Sequence, residues 1–254
     1  SENKAFSYLN GIQGQFVDRT VEWELKKETE QLFQQSLEDK RLIEEKSFQL
    51  ENLAKRLAKY LSPQIYKSIF EGKNEVVSTH ARKSLTIFFS DIVKFTDLTD
   101  TMEPEMLASV INSYLSEMSS IAVKCGGTID KFIGDAMMVF FGDPETEGET
   151  SDALKCIEMA IAMKTRVKEL QKHWKQLGAK NGLQVRMGIS NGYCTVGNFG
   201  SDLRLDYTVL GSPVNLAARL QALALENTIL IDENTNNLIE NDVKTEHYKN
   251  IQPK

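Results

Sequence analysis

The segment Thr128–Phe141 constrains this chain more than any other. It holds two apolar, β-prone runs that meet at Ile133-Gly134-Asp135, with Gly supplying the backbone angles that a tight hairpin needs. Lys131 falls near the end of the first run, and Asp135 in the turn or at the start of the second. A second acid, Asp91, ends another apolar run, Ser84–Ser90. If these strands are neighbours, the carboxylates approach at roughly the ~5 Å inter-strand spacing. Two acids that close repel unless a proton or a cation lies between them. Hard oxygen ligands at strand ends suit Mg²⁺ or Mn²⁺, which takes one or two carboxylates together with substrate phosphates. Spacing alone fits equally well an Asp135 that completes a turn and an Asp91 that caps the following helix.

Composition narrows the alternatives. The chain has 254 residues, 41% of them apolar and 26% charged, which gives room for one sizeable globular domain and an appendage. A net charge of −6 leaves no electrostatic footprint for nucleic acid, and no basic cluster suggests an anionic membrane patch. No window reaches the ~18 apolar residues of a spanning helix, and no signal-peptide core opens the chain. Cys125, Cys156 and Cys194 form no CxxC, which fits a reduced, cytoplasmic setting. His80, His173 and His247 have no acidic or Cys neighbour at ligand spacing. Neither a P-loop nor GxGxxG is present. The first residue is Ser1 rather than Met, so the chain is expected to be a piece of a longer protein. An upstream sensor, or a membrane tether with this part on the cytoplasmic side, would then lie outside it.

Residues 1–61 are polar and Pro-free, and only Gly11 and Gly14 interrupt their helical propensity. Leu25 and Leu32 share one heptad position, continued by Leu53 and Tyr60, while Ile43, Leu50 and Leu57 share the other. Asp39 and Lys46 interrupt the seam. The pattern predicts a helix that pairs in parallel with a copy of itself, weakly in the middle; a solvated helix packed on its own domain is the alternative. Ser62-Pro63 then caps a short helix over about 64–70, and residues 62–83 read as a joint and linker.

From Ser84 to the C-terminus, strands and helices alternate. An amphipathic helix carries Met106, Leu107, Val110, Ile111, Tyr114, Leu115, Met118 and Ile121. After the 128–141 hairpin, a long helix runs from about 151 to 177, with Ile157, Ala160, Ile161, Leu170 and Trp174 inward. Residues 184–189 and 192–198 read as two strands of a second hairpin about Ser190-Asn191-Gly192. An arm over 199–205, a strand over 206–210, a helix capped at Ser212-Pro213, a strand over 228–231 and a weakly patterned tail from Asn234 complete the chain. Helices alternating with hairpins favour an α+β sheet of mixed or antiparallel pairing. The helix from Pro213 places Asn215 and Arg219 four residues apart, on one face. Arg offers a rigid fork of donors for phosphate oxygens, although a surface Arg that snorkels fits the same spacing.

Together the runs Phe89-Ser90-Asp91-Ile92-Val93-Lys94-Phe95-Thr96, Lys131-Phe132-Ile133-Gly134-Asp135-Ala136 and Leu210–Arg219 resemble the catalytic domain of class III nucleotide cyclases, in order and in spacing. The resemblance covers residues 84–254. It implies a ferredoxin-like domain that dimerises head to tail, with active sites in the groove between protomers. It also implies that Asp91, Asp135 and the backbone carbonyl of Ile92 hold two Mg²⁺ or Mn²⁺ ions per site. Lys131 and Thr208, from the other protomer, would read the purine. Asn215 and Arg219, also from the partner, would orient the ribose and stabilise the charge that builds up. Lys254 aligns with a lysine that contacts the triphosphate, and the closing strand of the family lies beyond it.

The expected reaction is conversion of ATP to 3′,5′-cyclic AMP and pyrophosphate by attack of the ribose 3′-oxygen on the α-phosphorus. It is mostly positioning and electrostatics. Lys131 can only donate, which suits the unprotonated N1 of adenine, and Thr208 can accept from the 6-amino group. Guanylyl members typically carry Glu and Cys at these positions, and the animal membrane enzymes carry Asp where Thr208 stands. The pair therefore points to ATP and the bacterial-type branch. The N-terminal helix becomes a signalling coiled coil that sets the angle between two catalytic domains. A guanylyl cyclase, or a catalytically silent dimerisation module, are the competing readings.

Overall fold

The computed structural model describes residues 19–57, 80–201 and 203–248. The chain divides into two compact units, with the division after Tyr60. In the first, helix α1 (Thr20–Leu57) runs unbroken for 38 residues and buries none of them within this chain. Its large apolar side chains, among them Leu25, Leu32, Ile43, Leu50 and Leu53, are exposed. The Ser62-Pro63 joint and the short helix expected after it lie outside the described residues.

The second unit begins, in the described residues, with β1 (Ala81–Ile92), followed by α2 (Phe95–Thr101) and α3 (Pro104–Lys124). The hairpin β2 (Thr128–Ile133) and β3 (Ala136–Phe141) comes next, then α4 (Glu149–Glu169) and α5 (Gln171–Gln176). Strands β4 (Val185–Ser201) and β5 (Arg204–Leu210), helix α6 (Ser212–Leu223), strand β6 (Ile229–Ile231) and helix α7 (Glu233–Ile239) complete it. The sheet order is β2-β3-β1-β4-β5, antiparallel throughout, and β6 pairs in parallel with β4. This is the ferredoxin-like βαββαβ arrangement within a mixed sheet.

Strand β1 lies at the centre, so both of its faces are covered. Phe88 and Ile92 join the core under α3, α4 and α7, while Leu85, Ile87 and Phe89 join a second core against α6. This explains why Ser84–Ser90 reads as a continuous apolar run rather than an alternating one. Helix α3 buries Val110, Tyr114, Met118 and Ala122, a stripe with a spacing of four residues. Trp174 closes the same core, edge-on to Tyr114 and donating to Ser113 Oγ at 3.2 Å.

Several expectations are corrected. The second hairpin, about Ser190-Asn191-Gly192, does not form: β4 is one strand of 17 residues, and β1 pairs straight through it from Ala81↔Val196 to Ile92↔Val185. Gly192 serves a close contact instead of a turn. A Cβ there would lie 2.9 Å from Pro213 Cγ, at the start of α6. The described part of the stretch expected as an arm is instead mostly the end of β4 and the start of β5, with Ser201 paired to Arg204. The long helix breaks at Leu170 into α4 and α5, and Ile161 is exposed rather than inward. The tail contains α7, whose N-cap Asp232 accepts from Thr235 N at 2.9 Å. Among the described residues no helix is long and apolar enough to cross a membrane.

Candidate active site

Asp91 is the penultimate residue of β1, and Asp135 is the second of two residues between β2 and β3. Gly134, with φ +65°, precedes it, where a type II′ turn calls for glycine. Because β3 pairs with β1, with Ser90 opposite Met137, this turn lands beside the end of β1. Ile92 N donates to Asp135 Oδ2 at 2.9 Å, which fixes the turn carboxylate against the strand that carries Asp91. Burial raises the Asp135 pKa from its ordinary value. The Ile92 hydrogen bond opposes this, the Asp91 charge adds to it, and the Arg186 charge opposes it. The buried phenol of Tyr114 is raised mainly by its own burial, and both acids add to that shift.

Sequence reasoning missed Arg186. It sits opposite Asp91 in the β1–β4 register, and its Nη2 lies 3.1 Å from Asp91 Oδ2, while its Nη1 donates to Ala222 O of α6 at 3.3 Å. Its partner is 95 residues away in the chain, so no local pattern announces it. Asp91 Oδ1, by contrast, is buried and accepts no hydrogen bond. A buried, unmet carboxylate oxygen beside a second, desolvated carboxyl suits a hard divalent cation. No cluster of three or more His, Cys, Asp and Glu suited to a metal occurs among the described residues. Two carboxylates of this kind could hold a Mg²⁺-like ion together with backbone or substrate oxygens.

Lys131 and Thr208 also come together. They stand on β2 and β5, at opposite ends of the strand order, yet the two strands come close enough for a side-chain hydrogen bond between them. Tyr207 Oη donates to Asp143. Thr208 Oγ1 donates to Asp130 Oδ2 at 2.9 Å, and Lys131 Nζ lies 3.6 Å from the same oxygen. Asp130 is a second residue missed in the sequence.

Asn215 and Arg219 lie on the exposed face of α6, whose other face buries Pro213, Ala217, Leu220 and Gln221. The helix lies close to the sheet because residue 188 is Gly: a Cβ there would meet Ala217 O at 2.3 Å and Gln221 N at 2.2 Å. Lys254 lies outside the described residues.

The family of adenylate and guanylate cyclase catalytic domains matches residues 77–254. The chain is 34% identical over 166 residues to an adenylate cyclase of Anabaena cylindrica, which covers 63% of this chain and 32% of that protein. Among solved structures it is similar to the adenylyl cyclase CyaB from P. aeruginosa, at 51% identity and a TM-score of 0.64, over 65% of this chain and 85% of that one. It is also similar to the guanylyl cyclase Cya2, at 32% identity and a TM-score of 0.65, over 68% of this chain and 87% of that one. The chain spans about a third or less of the length of the curated relatives it matches first. With the ferredoxin-like sheet, the converging acids and this match over most of its length, the chain belongs to the class III adenylate and guanylate cyclase catalytic domains.

Proposed function

We propose that this domain is an adenylyl cyclase, forming 3′,5′-cyclic AMP and pyrophosphate from ATP at sites shared by two copies of the chain. The observation that carries the choice of ATP is the juxtaposition of Lys131 and Thr208 at one carboxylate oxygen. Side by side they present a donor and a hydroxyl acceptor, the complement of adenine N1 and its 6-amino group.

Asp91 and Asp135, with the Ile92 carbonyl, would hold two Mg²⁺ or Mn²⁺ ions. Bound there, the ions lower the pKa of the ribose 3′-hydroxyl and offset charge on the phosphate oxygens. Arg186 Nη2 pairs with Asp91 Oδ2 at 3.1 Å, on the side of the carboxylate away from the unmet Oδ1. Asn215 and Arg219 face outward from α6, where a second chain would bring a ribose and α-phosphate against them. Arg219 then meets the charge that grows in the transition state with a fork that keeps its own charge at any working pH. Exposed Phe132 and Ile133, beside the Asp135 turn, offer apolar area for that second copy. The exposed Leu and Ile positions of α1 would pair two chains in parallel and set the angle between their catalytic domains.

The test is direct. Purified protein with Mn²⁺ should convert ATP to cyclic AMP in preference to GTP, and chelation by EDTA should abolish turnover. Folded protein that makes no cyclic product from either nucleotide would identify a silent module, and a preference for GTP would identify a guanylyl cyclase.

A further inference from the structure

Asp130 is a buried acid outside the two-acid centre. It occupies the extra position of a bulge in β2, where the register passes from Ile129↔Val139 to Lys131↔Met138. Its side chain is 1% exposed, against 41% for Lys131 beside it. Oδ2 accepts from Thr208 Oγ1 at 2.9 Å and lies 3.6 Å from Lys131 Nζ. Oδ1 is buried without a hydrogen-bond partner. Burying a carboxylate with one oxygen unmet costs stability, so packing gives no reason for an acid here. Burial raises the Asp130 pKa, while the Thr208 hydrogen bond and the Lys131 charge favour the ionised form.

An ionised carboxylate only accepts hydrogen bonds, whereas a threonine hydroxyl has one hydrogen to donate and two lone pairs. With its hydrogen committed to Asp130, Thr208 can offer a purine nothing but lone pairs. Adenine presents an amino group at position 6 and guanine a carbonyl oxygen. We propose that Asp130 is a positioning residue for base selection: it holds Thr208 as an obligate acceptor and keeps the Lys131 ammonium alongside, so that the pair accepts the amino edge of adenine and refuses guanine. This deepens the adenylyl reading above and rests on it.

Asp130→Asn keeps the shape and removes the charge. Its amide can donate to Thr208 Oγ1, which frees the hydroxyl hydrogen to turn toward a 6-oxo group. The measurement is kcat/KM for ATP and for GTP, on the full chain with Mn²⁺, in the native protein, Asp130→Asn, Thr208→Val and the double variant. Asp130→Asn should lower the preference for ATP over GTP by about tenfold, the factor carried by one mismatched hydrogen bond. In the Thr208→Val background the same change should shift the ratio far less. Parallel slowing of both substrates at an unchanged ratio would make Asp130 a prop of the bulge and overturn the proposal. Full additivity in the double variant would overturn it as well. Native preference in Thr208→Val instead removes the underlying assignment of the base-reading pair, so the two failures are distinguishable. If Asp130→Asn does not fold, the native protein can be assayed with 6-methoxypurine riboside triphosphate, which has a free N1 and an acceptor at position 6. It should be turned over at least about tenfold less well than purine riboside triphosphate, which has no substituent there. Equal use of the two would overturn the proposal.

Discussion

Asp91 has one carboxylate oxygen paired with Arg186 and the other buried with no partner. Those two oxygens separate stability from activity. Asp91→Asn weakens a partly exposed ion pair, a loss of about 1 kcal/mol or less. It also removes the charge proposed to hold a metal, so activity should fall by more than the ~10²–10³ that loss of one oxyanion-type donor costs. Thermal unfolding and initial rates on the same preparation check both halves; a variant with native rates would remove Asp91 from the centre. Arg219→Ala should lower kcat by ~10²–10³ with little change in unfolding temperature, because its side chain lies on the exposed face of α6. At the pair proposed to read the base, Lys131→Glu with Thr208→Cys should abolish the preference for ATP, read as cyclic product from each nucleotide in competition. Asp91, Asp135 and Lys131 were legible as candidates because they lie within motifs at or near strand ends and a turn, whereas Thr208 entered only through the family resemblance. Asp130 and Arg186 were not legible. Each is a charged residue inside a strand, which alternation reads as solvent-facing, and each has a hydrogen-bond partner far along the chain: Thr208 is 78 residues from Asp130 and Asp91 is 95 from Arg186.

At the level of elements, the signals that failed were those with two physical meanings. Ser190-Asn191-Gly192 has hairpin chemistry, yet Asn191 donates through Nδ2 to Thr86 Oγ1 at 3.0 Å, and Gly192 makes room for Pro213. Small and polar residues there serve neighbours on β1 and α6, which a single strand does not reveal. Helix α7 escaped notice because its seven residues are too few to show a period, although Asp232 three residues before Thr235 was a readable cap. The Gly134-Asp135 turn and the α3 stripe were plain because each has only one good geometric solution. Gly188 has the same double meaning, since it sits in mid-strand for the sake of α6. Gly188→Ala puts a methyl group into the backbone of α6, with no flexible side chain to move aside. It should destabilise the domain by about 2 kcal/mol or more. It should also lower kcat, because α6 carries Asn215 and Arg219. A denaturation midpoint and kcat equal to native would show that the helix has room to shift.

Across the whole molecule, the half-buried acids and the exposed amide and guanidinium lie on different parts of one chain. Asp91 and Asp135 sit at the β1 end and the β2–β3 turn, while Asn215 and Arg219 look outward from α6. A second copy related by a two-fold axis would place each chain's acids against the other chain's α6, giving two equivalent sites. This arrangement has a consequence that no single-chain site shares. Asp91→Ala and Arg219→Ala should each be nearly inactive alone. In a mixed dimer of the two, one site carries both defects and the other carries neither. After equal mixing and free exchange, about half of the dimers are mixed and each has one of its two sites intact, so activity should recover to about a quarter of native. Deleting residues 1–79 should weaken the recovery at low protein concentration if α1 pairs the chains, because two linked contacts raise the effective concentration of the second. Sedimentation of the same mixtures separates failed exchange from failed complementation. Mixed dimers that form but stay inactive would mean that Asp91 and Arg219 serve the same chain's site, and the shared cleft would have to be abandoned.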